Sequence, residues 1–546
     1  MTDFLMTNLR RLSTPQQKKV NALTLPLLLL SEDASTHQPL DSLPIKSLPK
    51  GWVMDNVLDK APKDISSNLD TSNILPEGQR RFTKAATYFN SSTPKTYSQA
   101  MNHLQANKWK SAIIEEISSI EENGVWQVVP LLQEANLLGS TWVFCEKEDH
   151  TGKVVRYKAR LCVQGFSQIE GIDYNKIYAP NGRLASLRFL LSYCAINDFE
   201  LHQMDVCTAF LHGITEEKVF MKYPEGYPHA IQPNTCLRLI KSLYGLKQSP
   251  RCWYKRLKDV FNTLKFKPFQ ADPCLFISTE RSFCAVFLHV DDMLIGGKLE
   301  TVEKFKSNIK RFFSMEDMIQ VQFILGIKIN RNQSSKTITL SQQLYIDKIL
   351  KEFGMENCKP VTTPMDPGVR LVLSDETNQD RVSCYRKAVG LLNYLTSCSQ
   401  PYLAYATSVL SQFLDKPLSC NVSAFKRILQ YLQGTKNYEL MLGGTIKNSE
   451  IIGYSDSNWG SNYNGRSFSV YGVLCGELII WKAKKQPIVA LSTTEAELCA
   501  LAEVTQDTLW IEKLLYDFKL EPSIYLKFDN QGAIALCLNP VYQHRT

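Results

Sequence analysis

Two carboxylates stand side by side in AVFLHVDDMLIGG (Ala285–Gly297), between two strongly apolar runs. An isolated carboxylate beside a core segment is costly unless it is paired or coordinates a metal. A tight turn between two strands would carry Asp291 and Asp292 at its tip. A solvated turn is the plain alternative, since aspartate is a favoured turn residue. A third acid, Asp205, ends the strand-like opening of ELHQMDVCTAFLHG (200–213). Three carboxylates from two neighbouring strands would form a hard-oxygen site suited to Mg²⁺. Two such ions ~3.5–4 Å apart can activate a 3′-hydroxyl and stabilise a leaving pyrophosphate. The long chain separation between Asp205 and Asp291 leaves the pairing open at this stage.

A second acidic set lies near the C-terminus. IIGYSDSNWGSN (451–462) places Asp456 at a strand end, LSTTEAELCAL (491–501) places Glu495 and Glu497 near a helix start, and YLKFDNQGA (525–533) ends a strand on Asp529. Each has an ordinary reading by itself: a turn aspartate, a first-turn glutamate favoured by the helix dipole, and an Asp-Asn turn. Together they suggest another metal site.

The elements that must position these acids can be read from hydrophobic periodicity. A helix is expected from Tyr97 through Trp109, Ile113, Ile117 and Ile120, stopping at Asn123-Gly124. Strands are expected over Val125–Val129, Thr141–Glu146, Val154–Val163, Glu200–Asp205 and Ala285–Ile295. Helices are expected over Leu184–Ile196 and Cys252–Leu264. A hairpin over Phe323–Asn330 and Thr337–Ser341 precedes a helix at Tyr345–Phe353. Helices dominate from Tyr385 to Gly434. A new β pattern opens at Ile451, followed by a helix over Thr494–Phe518 and a strand over Ile524–Phe528. The class is α+β in at least two modules. Residues 1 to about 90, rich in Ser, Thr, Pro, Asn and Lys, read as a disordered tail or linker.

The 546 residues are enough for two to four domains, and 44% hydrophobic with 21% charged residues is an ordinary globular composition. A net charge of +8 permits polyanion binding without demonstrating it. The 15 cysteines are scattered, with no C-x-x-C and no zinc spacing, which favours a reducing compartment. No apolar run approaches the ~18 residues of a membrane span. LTLPLLLL (Leu23–Leu30) follows Lys18-Lys19 and faintly resembles a signal core, but it is short, contains Pro26 and is followed by Glu32-Asp33, so no signal peptide is expected.

Several stretches together carry a family resemblance. RYKARLCVQGFSQIEGIDY (156–174), QMDVCTAFLHG, SLYGLKQSPRCWY (242–254), HVDDML (289–294) and FILGIKI (323–329) resemble, in order and spacing, the reverse transcriptase of copia-type LTR retrotransposons. The match covers roughly Trp126 to Thr363. Further on, YRKAVGLLNYLTSCSQPYLAYATSVLSQF (385–413) resembles the copia connection, and the C-terminal acids resemble a ribonuclease H site. No Asp-Thr/Ser-Gly protease motif or zinc-binding integrase segment occurs, so the resemblance implies a fragment of a Pol polyprotein.

The resemblance implies a right-hand polymerase followed by a ribonuclease H-like α/β domain. The expected layout is fingers and palm over 95–365, an α-rich thumb or connection over 366–445, and the ribonuclease H-like domain over 446–546. Asp205, Asp291 and Asp292 would hold two Mg²⁺ ions, or Mn²⁺ in their place. Phe210 would exclude a 2′-hydroxyl, Lys158 and Arg160 would hold the triphosphate, and Gln248 would sit beside nucleotide and template. Asp456, Glu497 and Asp529 would bind a further pair of metals, with Glu495 the weaker candidate. Lys482, Lys484 and Lys485 could contact phosphates. The implied partners are an RNA template, a DNA primer, an RNA–DNA hybrid and deoxynucleoside triphosphates, with no membrane. The implied setting is cytoplasmic, in virus-like particles with access to the nucleus.

Departures from the family pattern include His289 where it has Tyr, Cys207 where it has Lys or a similar residue, Gln164 at a position often basic, and Gln400-Pro401-Tyr402 for Arg-Pro-Asp. At the end, Gln543 takes the place of a histidine, and the family continues past NPVYQHRT (539–546) into a fourth acid and a last helix. These features imply a weakened ribonuclease H. The competing reading is an inactive relic that only binds nucleic acid.

Overall fold

The structure is a computed structural model that describes residues 93–148, 154–366, 371, 379–444, 450–460 and 464–538. The expected tail, the Leu23–Leu30 stretch and the closing NPVYQHRT segment lie outside the described residues.

The expected first helix is two. α1 (Tyr97–Met101) starts where the Thr96 hydroxyl accepts the Gln99 N–H, and α2 (Ala106–Glu122) follows after a break. Trp109, Ala112, Ile113, Glu116, Ile117 and Ile120 recur every three or four residues and form the buried stripe of α2. The helix stops at Asn123 because Gly124 turns to φ +61°. Then come β1 (Trp126–Pro130), β2 (Leu137–Leu138), β3 (Ser140–Glu148) and β4 (Val154–Val163). β3 and β4 form an antiparallel hairpin with Val143 opposite Arg160 and Cys145 opposite Lys158. α2 packs on it through Trp109, whose ring meets Phe144 at 5.2 Å and Tyr157 at 4.7 Å, both edge-on.

The next elements are α3 (Leu184–Ile196), β5 (Glu200–Val206), β6 (Ile214–Met221), β7 (Thr235–Lys241), α4 (Ser249–Thr263), β8 (Phe266–Pro268), β9 (Leu275–Ser278), β10 (Cys284–His289), β11 (Asp292–Gly297), α5 (Leu299–Ile309) and β12 (Met315–Gln320). The six-stranded sheet runs β12-β5-β11-β10-β9-β8, with every neighbour antiparallel. Its middle is apolar on both faces, which is why AVFLHV reads as an unbroken run rather than an alternation. Ala285, Phe287 and Leu294 face α3, whereas Val286, Leu288, Met293 and Ile295 face the Trp253, Phe261 and Phe305 side chains of α4 and α5. β1, β7, β6 and β2 form a separate four-stranded sheet.

The remainder contains β13 (Phe323–Ile324), β14 (Ile327–Asn332), β15 (Thr337–Ser341), α6 (Gln343–Glu352), α7 (Gln379–Cys398), α8 (Ala404–Leu410), α9 (Ser419–Thr435), β16 (Leu440–Gly443), β17 (Glu450–Asn458), β18 (Phe468–Cys475), β19 (Glu477–Lys485), α10 (Thr493–Asp517), β20 (Ser523–Lys527) and α11 (Gln531–Leu538). α6 to α9 share one helical core. The last sheet runs β19-β18-β17-β20, with β20 parallel to β17 and the other pairs antiparallel. No helix among the described residues is long and apolar enough to cross a membrane.

The last sheet and α10 share a core with α3 and the six-stranded sheet. Phe518, the residue that ends α10, packs against Phe189 at 4.9 Å, Tyr193 at 4.8 Å and Phe269 at 4.9 Å. Trp510 Nε1 donates to the Ala271 carbonyl at 2.8 Å. Arg188 of α3 is buried at this seam. It donates to the carbonyls of Ser397 and Cys398 at the C-terminus of α7 and of Ile479 on β19, and its guanidinium lies 3.8 Å from the Trp481 ring centroid. Burial pulls its pKa down to about 9, and the partial negative charge of a helix end and an aromatic face offset part of that cost. Arg188→Ala should therefore lower stability by roughly 3 kcal/mol, since charged hydrogen bonds to buried carbonyls are lost. A urea unfolding curve monitored by tryptophan fluorescence measures this, with the exposed Arg281→Ala as the near-neutral comparison.

Candidate functional site

Strand register assembles the first acidic group. Asp205 on β5 stands directly opposite Asp292 on β11, and Asp292 stands opposite His289 on β10. On the other side of β5, Glu316 of β12 stands opposite Asp205. Directly opposed residues share a sheet face, so His289, Asp292, Asp205 and Glu316 form one row. Asp291 occupies the turn itself, where its carbonyl accepts the Val206 N–H at 3.0 Å. Gln203 Nε2 donates to Asp292 Oδ1 at 3.2 Å.

The turn is held in a costly shape. Val290 has φ +60°, in the left-handed region that a β-branched residue rarely enters. Its carbonyl accepts the Trp253 indole N–H at 2.7 Å, which ties the turn to α4. Buried His289 is held below the ordinary histidine value by burial, with Asp291 pulling the other way.

Arg160, on β4, reaches this site. Its guanidinium carbon lies 5.6 Å from the Tyr244 ring centroid. Burial disfavours the Arg160 cation, but Tyr244, Asp291 and Glu116 outweigh that and push its pKa above the ordinary value. Lys158 lies two residues earlier on the same strand, where its charge acts on Glu116. Phe210 is 1% exposed and meets Tyr244 edge-on at 5.3 Å. Gln248 is also 1% exposed, and its amide is taken up internally: it accepts from Gln168 Nε2 at 3.0 Å and donates to the Asp173 carbonyl at 2.8 Å.

The second group is tighter. Among the described residues, Asp456, Glu497 and Asp529 form the set of three possible metal ligands whose ligand atoms all lie within 4.8 Å of one another. Asp205, Asp291 and Asp292 are not drawn to that spacing. Glu497 Oε1 accepts the Ser457 N–H at 3.1 Å, and its Oε2 is buried without a hydrogen-bond partner. Burial, and to a lesser degree Asp456 and Asp529, push the Glu497 carboxyl up to about 6, against the lowering effect of Ser457. Burial and then Asp529 likewise raise Asp456. Hard oxygen donors with an orphaned buried atom and suppressed ionisation suit a divalent cation. Glu495 is engaged elsewhere: its N–H donates to Ser492 Oγ and its Oε2 accepts the Leu491 N–H, capping α10. Lys482 and Lys484 pair with Asp507 and Glu503 of α10, at 2.8 and 3.5 Å.

Residues 123–367 match the reverse transcriptase (RNA-dependent DNA polymerase) family. Over 467 residues, 83% of its length, the chain is 38% identical to the retrovirus-related Pol polyprotein from transposon TNT 1-94 of Nicotiana tabacum. It is 36% identical over 465 residues to the one from transposon RE1 of Arabidopsis thaliana. The chain is thus similar to copia-type retrotransposon Pol polyproteins over most of its length, and residues 123–367 carry the reverse transcriptase match. It spans 35% and 31% of the length of these two relatives. A solved foamy viral protease-reverse transcriptase in complex with double-stranded DNA is similar at TM-score 0.40 and 11% identity, covering 84% of this chain and 74% of that one.

All candidate residues from Lys158 to Asp292 lie inside the matched reverse transcriptase segment; Asp456, Glu497 and Asp529 lie beyond it. Sequence reading missed Glu116, Tyr244 and Glu316. The signal for Glu116 was present: an acid occupying an apolar-stripe position of α2. Burial pushes it up to about 7, while the Leu161 N–H it accepts at 3.2 Å and the charges of Arg160 and Lys158 pull down. Glu316 had no signal, because β12 carries no clear alternation.

A raised carboxyl pKa contributes stability that is present below about 4.5 and is lost as pH rises through the folded value. In the presence of a chelator, the wild-type chain should lose more thermal stability between pH 4.5 and 7 than Glu497→Gln. Parallel melting curves for the two across that window would rule this out.

Proposed function

We propose that this chain is the RNA-directed DNA polymerase of a copia-type retrotransposon, with an attached ribonuclease H-like site. In this reading α1, α2 and the β3–β4 hairpin are the fingers, the six-stranded sheet with α3, α4 and α5 is the palm, and α6 to α9 form the thumb or connection. The sheet β19-β18-β17-β20 with α10 is the ribonuclease H-like domain. The observation that carries it is the opposition of Asp205 and Asp292 across two adjacent strands, with Asp291 at the turn beside them.

Asp205, Asp291 and Asp292 would hold Mg²⁺, or Mn²⁺ in its place, which supplies activation of the primer 3′-oxygen and neutralisation of the leaving pyrophosphate. The protein's own groups do the rest. Arg160 and Lys158 on β4 bind the triphosphate of the incoming nucleotide, Arg160 through its planar fork of donors. Phe210 forms a flat wall against a 2′-hydroxyl, the one group that separates ribose from deoxyribose. Gln248 supports the loop that carries Gln168 and Asp173. Asp456, Glu497 and Asp529 would hold the cations that activate water against the RNA strand of a hybrid. Template, primer and hybrid bind mainly through phosphates, so affinity falls steeply with salt.

Primer extension on an RNA template with Mg²⁺ tests the polymerase. Asp205→Asn and Asp291→Asn should each lower kcat/KM roughly a thousandfold, the scale of losing one preorganised electrostatic element. Wild type and variants extending equally little would favour the inert relic. Glu497→Gln should leave extension intact and abolish any cleavage of the RNA strand in a hybrid.

A further inference from the structure

The segment Ser242–Gly245 bridges the two parts of the proposed nucleotide site. On one side, Ser242 Oγ donates to the Phe210 carbonyl, and the Ser242 N–H donates to the Gly213 carbonyl at 2.7 Å. On the other side, the Tyr244 carbonyl accepts the Val163 N–H at 2.7 Å. Val163 lies three residues beyond Arg160 in β4. Gly245 makes this approach feasible: it sits at φ +93°, and a Cβ there would lie 2.1 Å from the Val163 carbonyl oxygen. Between these anchors stands the half-buried ring of Tyr244. The Phe210 ring meets it edge-on at 5.3 Å with planes at 65°, and the Arg160 guanidinium lies over it at 5.6 Å.

We propose that Tyr244 is a positioning residue for deoxynucleotide selection, a pillar that fixes the spacing between the Phe210 wall and the Arg160 cation. The inference rests on the polymerase reading above. A flat wall discriminates ribose from deoxyribose only if the sugar cannot slide away from it. The cation that binds the triphosphate sets where the sugar lies, so wall and cation must be held at a fixed separation. Tyr244 touches both, and its backbone is tied to the segments that carry both. The phenol ring is the part that matters here; the hydroxyl is not needed for either contact.

The test is single-nucleotide insertion on an RNA template with Mg²⁺, comparing a deoxynucleoside triphosphate with its ribonucleotide counterpart. Tyr244→Leu should raise KM for the deoxynucleotide and cut deoxy-over-ribo discrimination by about tenfold, the scale of one aromatic contact at each neighbour. Tyr244→Phe should restore both to near wild-type values. In a Phe210→Ala background, Tyr244→Leu should reduce discrimination no further, because the wall through which it acts is gone. A Tyr244→Leu enzyme that loses kcat equally for both nucleotides, with unchanged discrimination, overturns the proposal while leaving the polymerase reading intact.

Failure of wild type to extend at all would instead count against the polymerase. In that event a ternary complex with a chain-terminated primer and Ca²⁺ gives a readout without turnover. Wild type should be stabilised on primer–template by the next deoxynucleotide more than by the ribonucleotide, and Tyr244→Leu should lose that difference. The same preference in both proteins, or in neither, overturns the proposal.

Discussion

The pairing register between Glu200–Val206 and Asp292–Gly297 is the constraint from which the acidic row follows. Side chains alternate along a strand, so a slip of one residue would turn Asp205 into the helices and point Met204 at the acids. What prevents the slip is the burial of both sheet faces. Leu201 and Leu294 belong to the α3 side, Met204, Met293 and Ile295 to the α4 and α5 side, and shifting either strand would misplace both sets together. Apolar packing therefore pins carboxylates that, left to their own repulsion, would separate.

The cost of that placement appears next to it. A valine in a left-handed turn conformation persists only where its surroundings over-determine it. At Val290 the indole N–H of Trp253 holds the turn from the α4 side, and the next carbonyl, that of Asp291, accepts from Val206. The turn is thus fixed by hydrogen bonds at two successive carbonyls. This makes the apolar and polar parts of the sheet interdependent: α4 buries the core under β10 and β11 and also supplies the donor that shapes the turn.

Much of this arrangement could be anticipated from the chain, for identifiable reasons. Val154–Val163 and Leu184–Ile196 are legible to the residue, because each is bounded by turn or polar residues and has an unambiguous period. Asn102–Gln105 does not disrupt the apolar spacing that starts at Tyr97, so the pattern predicts one helix where the backbone breaks into two. β6, β7, β8, β9 and β12 were missed because short or mixed-polarity strands lack a clean alternation, and pairing partners decide them. At the start of α10, Glu495 is engaged by the cap, whereas Glu497 lies beside Asp456 and Asp529. Tyr244 escaped notice because nothing in SLYGLKQSP says which ring will lie between Phe210 and Arg160. That depends on a hydrogen bond between segments about 80 residues apart, a separation that strand pairing bridges and local pattern does not.

The two acidic groups sit on different sheets but are not mechanically separate. α3 covers Phe287 and Leu294, beneath the first row of acids, and also presents Arg188 and Phe189 to β19 and α10. Arg188 holds β19 through the Ile479 carbonyl, and Phe189 receives Phe518 at the end of the same helix whose first turns carry Glu497. A packed interior transmits displacement because it has little free volume to absorb it. A change that lifts α10 from α3 therefore disturbs the support of both acidic groups, although α3 contributes no acid to either.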